Sequence, residues 1–178
     1  MRSSYKILDN KALYFVTSTI VEWIPIFTSE NYFKILADVV TFSQNEKSLK
    51  VFAYVIMDNH FHMVLQHDNL TNIMKSIKSY TAKKILEQLE TDRKNWVLNQ
   101  LKYYKLKHKI ESKFQVWQES FHPEQILTEK MLMQKINYIH YNPVKRGYVI
   151  KPEDWKYSSA SYYLTGVQGE IKINGYED

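Results

Sequence analysis

Two apolar runs meet across a single polar pair. Residues 50–57 read KVFAYVIM, residues 60–67 read HFHMVLQH, and only Asp58-Asn59 lies between them. Both runs are rich in β-branched and aromatic types, and a two-residue polar break predicts a tight β-hairpin. Alternate residues of a strand face the same side. His60, His62, Val64 and Gln66 therefore share one face, and Phe61, Met63 and Leu65 the other, core-facing one. Histidines two apart on a strand lie ~6–7 Å apart at Cα and can converge on one divalent ion. Two ordinary histidines at a strand start are the plain alternative. His67 falls on the opposite face from His62 and is no obvious third ligand.

The flanking sequence sets the order of elements. Residues 12–21 (ALYFVTSTIV) read as a strand. Ser29 is placed to cap a helix over about 30–46, with Phe33, Leu36, Val40 and Ser43 in one stripe. A second helix is expected over 71–90, with Ile73, Ile77 and Tyr80 on one face. Past Tyr80 the apolar phase moves to Ile85, Leu86 and Leu89. Residues 93–110 are expected to be helical, 114–118 and 124–127 extended. A last helix spans 128–142 and is expected to stop at Pro143. This order predicts an α+β fold, an antiparallel sheet of ferredoxin-like type packed with helices. At 178 residues, with no linker or repeat, the chain reads as one domain over 1–178, its core about 10–163 and a short tail 164–178.

The last helix carries a second chemical pair. Leu132, Ile136 and Ile139 mark its core stripe. Tyr138 and Asn142 sit one turn apart on the shoulder of that stripe, so their side chains are neighbours. A phenol beside an amide oxygen suits a nucleophile next to a metal ligand. A wet boundary aromatic and a helix-end amide are the plain alternatives. Tyr141 ranks second as a nucleophile.

Charge and composition narrow the classes. The chain has no cysteine, which excludes disulfides, thiolate metal sites and a cysteine nucleophile. Its net charge is +5, with 14 Tyr, 8 Phe and 4 Trp. Residues 75–113 hold eleven basic side chains against four acidic ones, a local +7 that exceeds the whole chain's surplus. Lys75, Lys78, Lys83, Lys84, Arg93, Lys94, Lys102, Lys105, Lys107 and Lys109 are candidate phosphate contacts, with Lys113 at the edge of the sector. Tyr80, Trp96, Tyr103 and Tyr104 are candidate base-stacking rings. A solvated lysine-rich surface is the plain alternative. The first ten residues lack the apolar core of a signal peptide, and no run approaches a membrane span. A cytoplasmic location without membrane contact is expected.

Taken together, the motifs resemble a known family. Met57-Asp58-Asn59-His60-Phe61-His62-Met63-Val64-Leu65 resembles the histidine–hydrophobic–histidine (HUH) strand of single-tyrosine transposases. Trp117-Gln118-Glu119-Ser120-Phe121 resembles a run of their REP-associated tyrosine transposase branch. So does Tyr138-Ile139-His140-Tyr141-Asn142-Pro143-Val144-Lys145-Arg146-Gly147, followed by Trp155 ahead of Tyr157-Ser158-Ser159. The resemblance covers roughly residues 10–163. One departure is His122-Pro123-Glu124, where the branch usually continues with an aromatic and an acidic residue.

The resemblance implies a ferredoxin-like sheet with helices. It implies metal ligation by His60, His62 and Asn142, with Mg²⁺ or Mn²⁺ as the ion and Tyr138 as the nucleophile. The expected activity is that of a transposase: cutting single-stranded DNA beside a hairpin, at a REP-like or insertion-sequence end, and rejoining strands through a 5′-phosphotyrosine. A monomer or a homodimer is compatible with it. A non-catalytic hairpin-binding protein and a metal-dependent hydrolase using water are the competing functions.

Overall fold

The computed structural model describes residues 7, 9 and 11–175. Four strands, β1 (Leu13–Thr19), β2 (Lys50–Ile56), β3 (His60–Gln66) and β4 (Glu124–Ile126), form one antiparallel sheet in the order β2-β3-β1-β4. Helix α1 (Glu30–Lys47) joins β1 to β2. Helices α2 (Leu70–Thr91) and α3 (Asn95–Tyr103) lie between β3 and β4. This is the β-α-β-β-α-β succession of the ferredoxin-like fold. Helix α4 (Glu129–Lys145) and the short α5 (Ala160–Thr165) follow it.

Strand parity assigns the layers. Tyr14, Val16, Tyr54, Ile56, Phe61, Met63 and Leu65 enter one core with the buried faces of α1 and α2. Phe15, Ala53, Val55 and Val64 point the other way, against Leu132, Ile136 and Ile139 of α4. The sheet is thus covered on both sides. A register shift between Val51 and Ala53 lets Phe52 and Ala53 both face α4. The β2–β3 turn closes with the Met57 N–H donating to the His60 carbonyl at 2.8 Å. Among the described residues no helix is long and apolar enough to cross a membrane.

Four sequence expectations are corrected. Helix α2 covers the expected 71–90, but Thr81 and not Tyr80 continues its buried stripe. Thr81 is fully buried and Tyr80 is half exposed. The Thr81 hydroxyl accepts the indole N–H of buried Trp117 at 3.0 Å. Helix α3 ends at Tyr103 rather than near 110. The Gln115 N–H donates to the Leu101 carbonyl at 3.1 Å, and the Gln115 side chain accepts the Leu106 N–H at 3.0 Å, so an outside residue takes over the helix end.

Helix α4 continues through Pro143 to Lys145. Its stop is Gly147, at φ +72°, where the Tyr148 N–H bonds the Pro143 carbonyl and the Gly147 N–H bonds the Val144 carbonyl. That double bond past a left-handed glycine is a Schellman closure. The core does not end near 163: Ile171 and Ile173 are buried in the main core, and Asn174 bonds both the N–H and the carbonyl of Val51 on β2.

Candidate active site

The site lies on the α4 side of the sheet. The register sets His62 opposite Thr17 on one side and Val55 on the other, and His60 opposite Thr19. Both imidazoles are buried, and their ring centroids are 4.8 Å apart. Helix α4 carries Tyr138 to within 5.1 Å of the His62 ring, edge to face. Phe15 stacks on His62 at 5.3 Å and meets Tyr138 edge-on at 5.9 Å. Tyr138 keeps 41% of its surface exposed, whereas Asn142 is buried. His60, His62, Tyr138 and Asn142 all line one cavity of about 300 Å³, together with Trp23, Lys145 and Arg146.

Neighbouring polar groups set the imidazole orientations. The Asn59 side-chain N–H donates to the Trp23 carbonyl at 3.0 Å, which turns its Oδ1 towards His60. His60 Nδ1–H therefore donates to Asn59 Oδ1 at 2.7 Å, and Nε2 carries the lone pair. His62 Nδ1 is engaged by the Thr17 hydroxyl at 2.7 Å. With both Nδ1 atoms occupied, Nε2 is the nitrogen each ring has left for a ligand. Burial pushes His60 down to about 4, with the Arg146 charge adding to the effect. Burial pushes His62 down to about 3, helped by His60 and Lys135. Both rings are neutral at physiological pH, the form that binds metals.

The donor chemistry fits a divalent ion. Two imidazoles and the Asn142 amide make a neutral nitrogen–oxygen set that leaves an ion's charge available to an anion. Mn²⁺ accepts such a set more readily than Mg²⁺, which favours oxygen. Among the described residues no group of three or more His, Cys, Asp or Glu side chains stands together to form another metal cluster.

The basic residues divide between two places. Lys75, Lys78, Lys83 and Lys84 ride on α2, across the sheet from Tyr138. Lys84 pairs with Glu87 at 2.9 Å. Lys78 donates to the Gln118 carbonyl at 2.8 Å and to the Ser120 carbonyl, and burial pushes its amine down to about 8. Arg93, Lys94, Lys102 and Lys107 are exposed. Lys105 donates to the Lys109 carbonyl at 2.7 Å, and Lys109 lies 3.7 Å from Glu119.

A groove of about 840 Å³ runs between α2 and residues 109–120, lined by Lys78, Lys83, Lys109, Lys113 and Phe114. Residues 118–122 separate it from the site, since the Gln118 and His122 N–H groups bond the carbonyls of Thr19 and Thr17. None of the predicted phosphate contacts reaches the imidazoles.

The cations at the site are others. Lys145 lies 5.5 Å above the Tyr138 ring, and Lys135 lies 4.6 Å above Phe15 while pairing with Glu124 at 2.5 Å. The signal was present: Lys135, Tyr138, Asn142 and Lys145 recur at helical spacing on one face. The Phe15 and Thr17 contributions depend on strand pairing and that of Trp23 on the turn after β1, and none of them left such a pattern.

A ferredoxin-like antiparallel sheet with paired histidines on a central strand, faced by a tyrosine on a packed helix, is the class this architecture defines. The chain is 32% identical over 108 residues to a Haemophilus influenzae protein described as "Putative REP-associated tyrosine transposase", a stretch covering 60% of this chain and 56% of that relative. The similarity is confined to that stretch, and this chain spans little more than half of the relative's length. A solved structure of a REP-associated tyrosine transposase bound to a REP hairpin shares the fold. The TM-score is 0.68 at 17% identity, over 100% of this chain and 94% of that one. No family model matches the chain.

Proposed function

We propose that this chain is a DNA-nicking and strand-joining enzyme of transposase type. Its substrate is single-stranded DNA beside a hairpin, and Tyr138 is the nucleophile. The observation that carries this reading is the approach of Tyr138 to the His60–His62 pair within one chain, the rings of His62 and Tyr138 being 5.1 Å apart. The Tyr138 oxygen attacks the scissile phosphorus and releases its proton. The bond from phosphorus to the 3′-oxygen breaks, and that oxygen takes up a proton as the 3′-hydroxyl. A 5′-phosphotyrosine results, and its retained bond energy lets a 3′-hydroxyl reverse the step and join strands.

His60, His62 and Asn142 are the residues that would hold a divalent ion, Mg²⁺ or Mn²⁺. Such an ion supplies charge to the phosphate oxygens. Asn59 and Thr17 hold the imidazoles by Nδ1, which leaves Nε2 as the ligating nitrogen of each. Lys145 and Arg146 place positive charge where the phosphate develops negative charge. The lysines of the 75–109 sector, beyond residues 118–122, hold phosphates away from the cut, in the flanking strand or the hairpin.

The test is covalent capture on a hairpin oligonucleotide with single-stranded flanks. The parent protein is expected to form a protein–DNA adduct with added Mn²⁺ or Mg²⁺, and Tyr138→Phe none. An adduct at full yield in the variant overturns the assignment. Metal-dependent cleavage that leaves a free 5′-phosphate indicates hydrolysis by water. Binding without cleavage indicates a hairpin-binding protein.

A further inference from the structure

Trp23 is held in a way that packing alone does not explain. Its indole is 52% exposed, although its neighbours Ile20, Val21 and Ile24 are buried. The turn that lifts it out uses two consecutive left-handed residues, Glu22 at φ 50° and Trp23 at φ 56°. Bulky side chains seldom adopt that conformation, and such outliers gather at functional sites. The turn is clamped from both sides. The Val21 N–H bonds the Val116 carbonyl at 2.9 Å, and the Trp23 N–H bonds the Ile20 carbonyl at 3.0 Å.

The indole borders the cavity of the candidate site. It stands 5.7 Å from His60, edge to face. One amide couples the two residues, since Asn59 donates to the Trp23 carbonyl and accepts from the His60 ring. Lys145 and Arg146 line the same cavity and suit a phosphate. An exposed flat ring at its rim suits the base attached to that phosphate.

We propose that Trp23 is a base-stacking platform for the unpaired nucleotide next to the scissile phosphate. This inference rests on the single-strand reading of the site. It adds the recognition of one base by its ring face, and so a tolerance for base identity at that position.

The experiment uses the uncut complex, so that catalysis does not enter. Tyr138→Phe protein is titrated with a hairpin oligonucleotide whose unpaired positions carry 2-aminopurine, one at a time. At one position beside the cut, quenching on binding is expected. It should be lost when Trp23→Gly is added and kept with Trp23→Phe. Affinity should fall roughly tenfold in the glycine variant, the scale of one lost stacking contact. That variant should melt no lower than its parent, because glycine relieves the left-handed turn. Quenching unchanged by Trp23→Gly at every position overturns the proposal, and so does an equal loss at all positions. The adduct assay with Tyr138→Phe is separate: its failure removes the nucleophile and leaves the stacking result standing.

Discussion

The Tyr138 ring faces the His62 ring at 5.1 Å within a single chain. One residue comes from α4 and the other from the sheet strand beneath it. The contact is fixed by the packing of Leu132, Ile136 and Ile139 against Val55 and Val64. No second subunit is needed to bring the phenol to the histidines.

Complementation between variants checks this arrangement. An equal mixture of His62→Ala and Tyr138→Phe proteins is expected to give no covalent adduct, because each chain lacks part of its own site. Recovery of adduct on mixing would mean that the tyrosine helix is exchanged between subunits.

The two basic surfaces should separate by salt dependence. For single-stranded DNA, each phosphate contact contributes ~0.7 to the slope of log affinity against log salt. Lys145→Gln with Arg146→Gln should lower that slope and slow adduct formation on a short single strand. Lys75→Gln with Lys83→Gln should leave adduct formation on that short strand close to the parent and weaken only the hairpin-bearing substrate. Equal effects of the two pairs on the short strand would contradict the division.

Acid should weaken the fold in a defined window. His60 and His140 are pushed down to about 4 and His62 to about 3, in each case mainly by burial. In the unfolded chain a histidine titrates near ~6.5. Between that value and the folded values the unfolded chain binds more protons, so stability falls as pH drops from about 6.5 towards 4. The thermal midpoint is expected to be lower at pH 5 than at pH 7. His140→Gln, which replaces the ring bonded to Ser159 Oγ at 2.9 Å, should flatten part of that dependence. A midpoint that rises on acidification would rule out this linkage.

Thr81 and Trp117 form a buried donor–acceptor pair, and breaking it has a calculable cost. Thr81→Val keeps the shape and strands the indole N–H, which should destabilise by about 1–3 kcal/mol in urea unfolding. Thr81→Ser retains the hydroxyl and should cost less than about 1 kcal/mol. If the valine variant is as stable as the serine variant, the bond at 3.0 Å contributes nothing.

Much of the fold was legible because strands alternate and helices repeat. The His60/His62 face and the opposed Phe61, Met63 and Leu65 core face followed from parity. The approach of α4 residues followed from the Leu132–Ile136–Ile139 stripe. The helix ends were less legible. Pro143 looked like a stop, yet Gly147 is the stop: a proline's fixed φ is itself helical, and the helix carries its missing N–H and the crowding of its ring for the last turn to Lys145. Tyr80 looked like core, yet Thr81 takes the place, because a small hydroxyl bonded to Trp117 fits where a tyrosine would not.

The sequence by itself determined which residues could do chemistry: two histidines on one strand face, and a tyrosine one turn from an asparagine. Local periodicity suffices for that, since it depends only on chain geometry within a few residues. Tertiary structure alone decided what surrounds them. It placed Thr17 on the His62 nitrogen and Trp23 at the rim beside His60, and it set the α2 lysines across the sheet. Those relations join residues far apart in the chain through strand register and helix docking, and no short-range pattern records either.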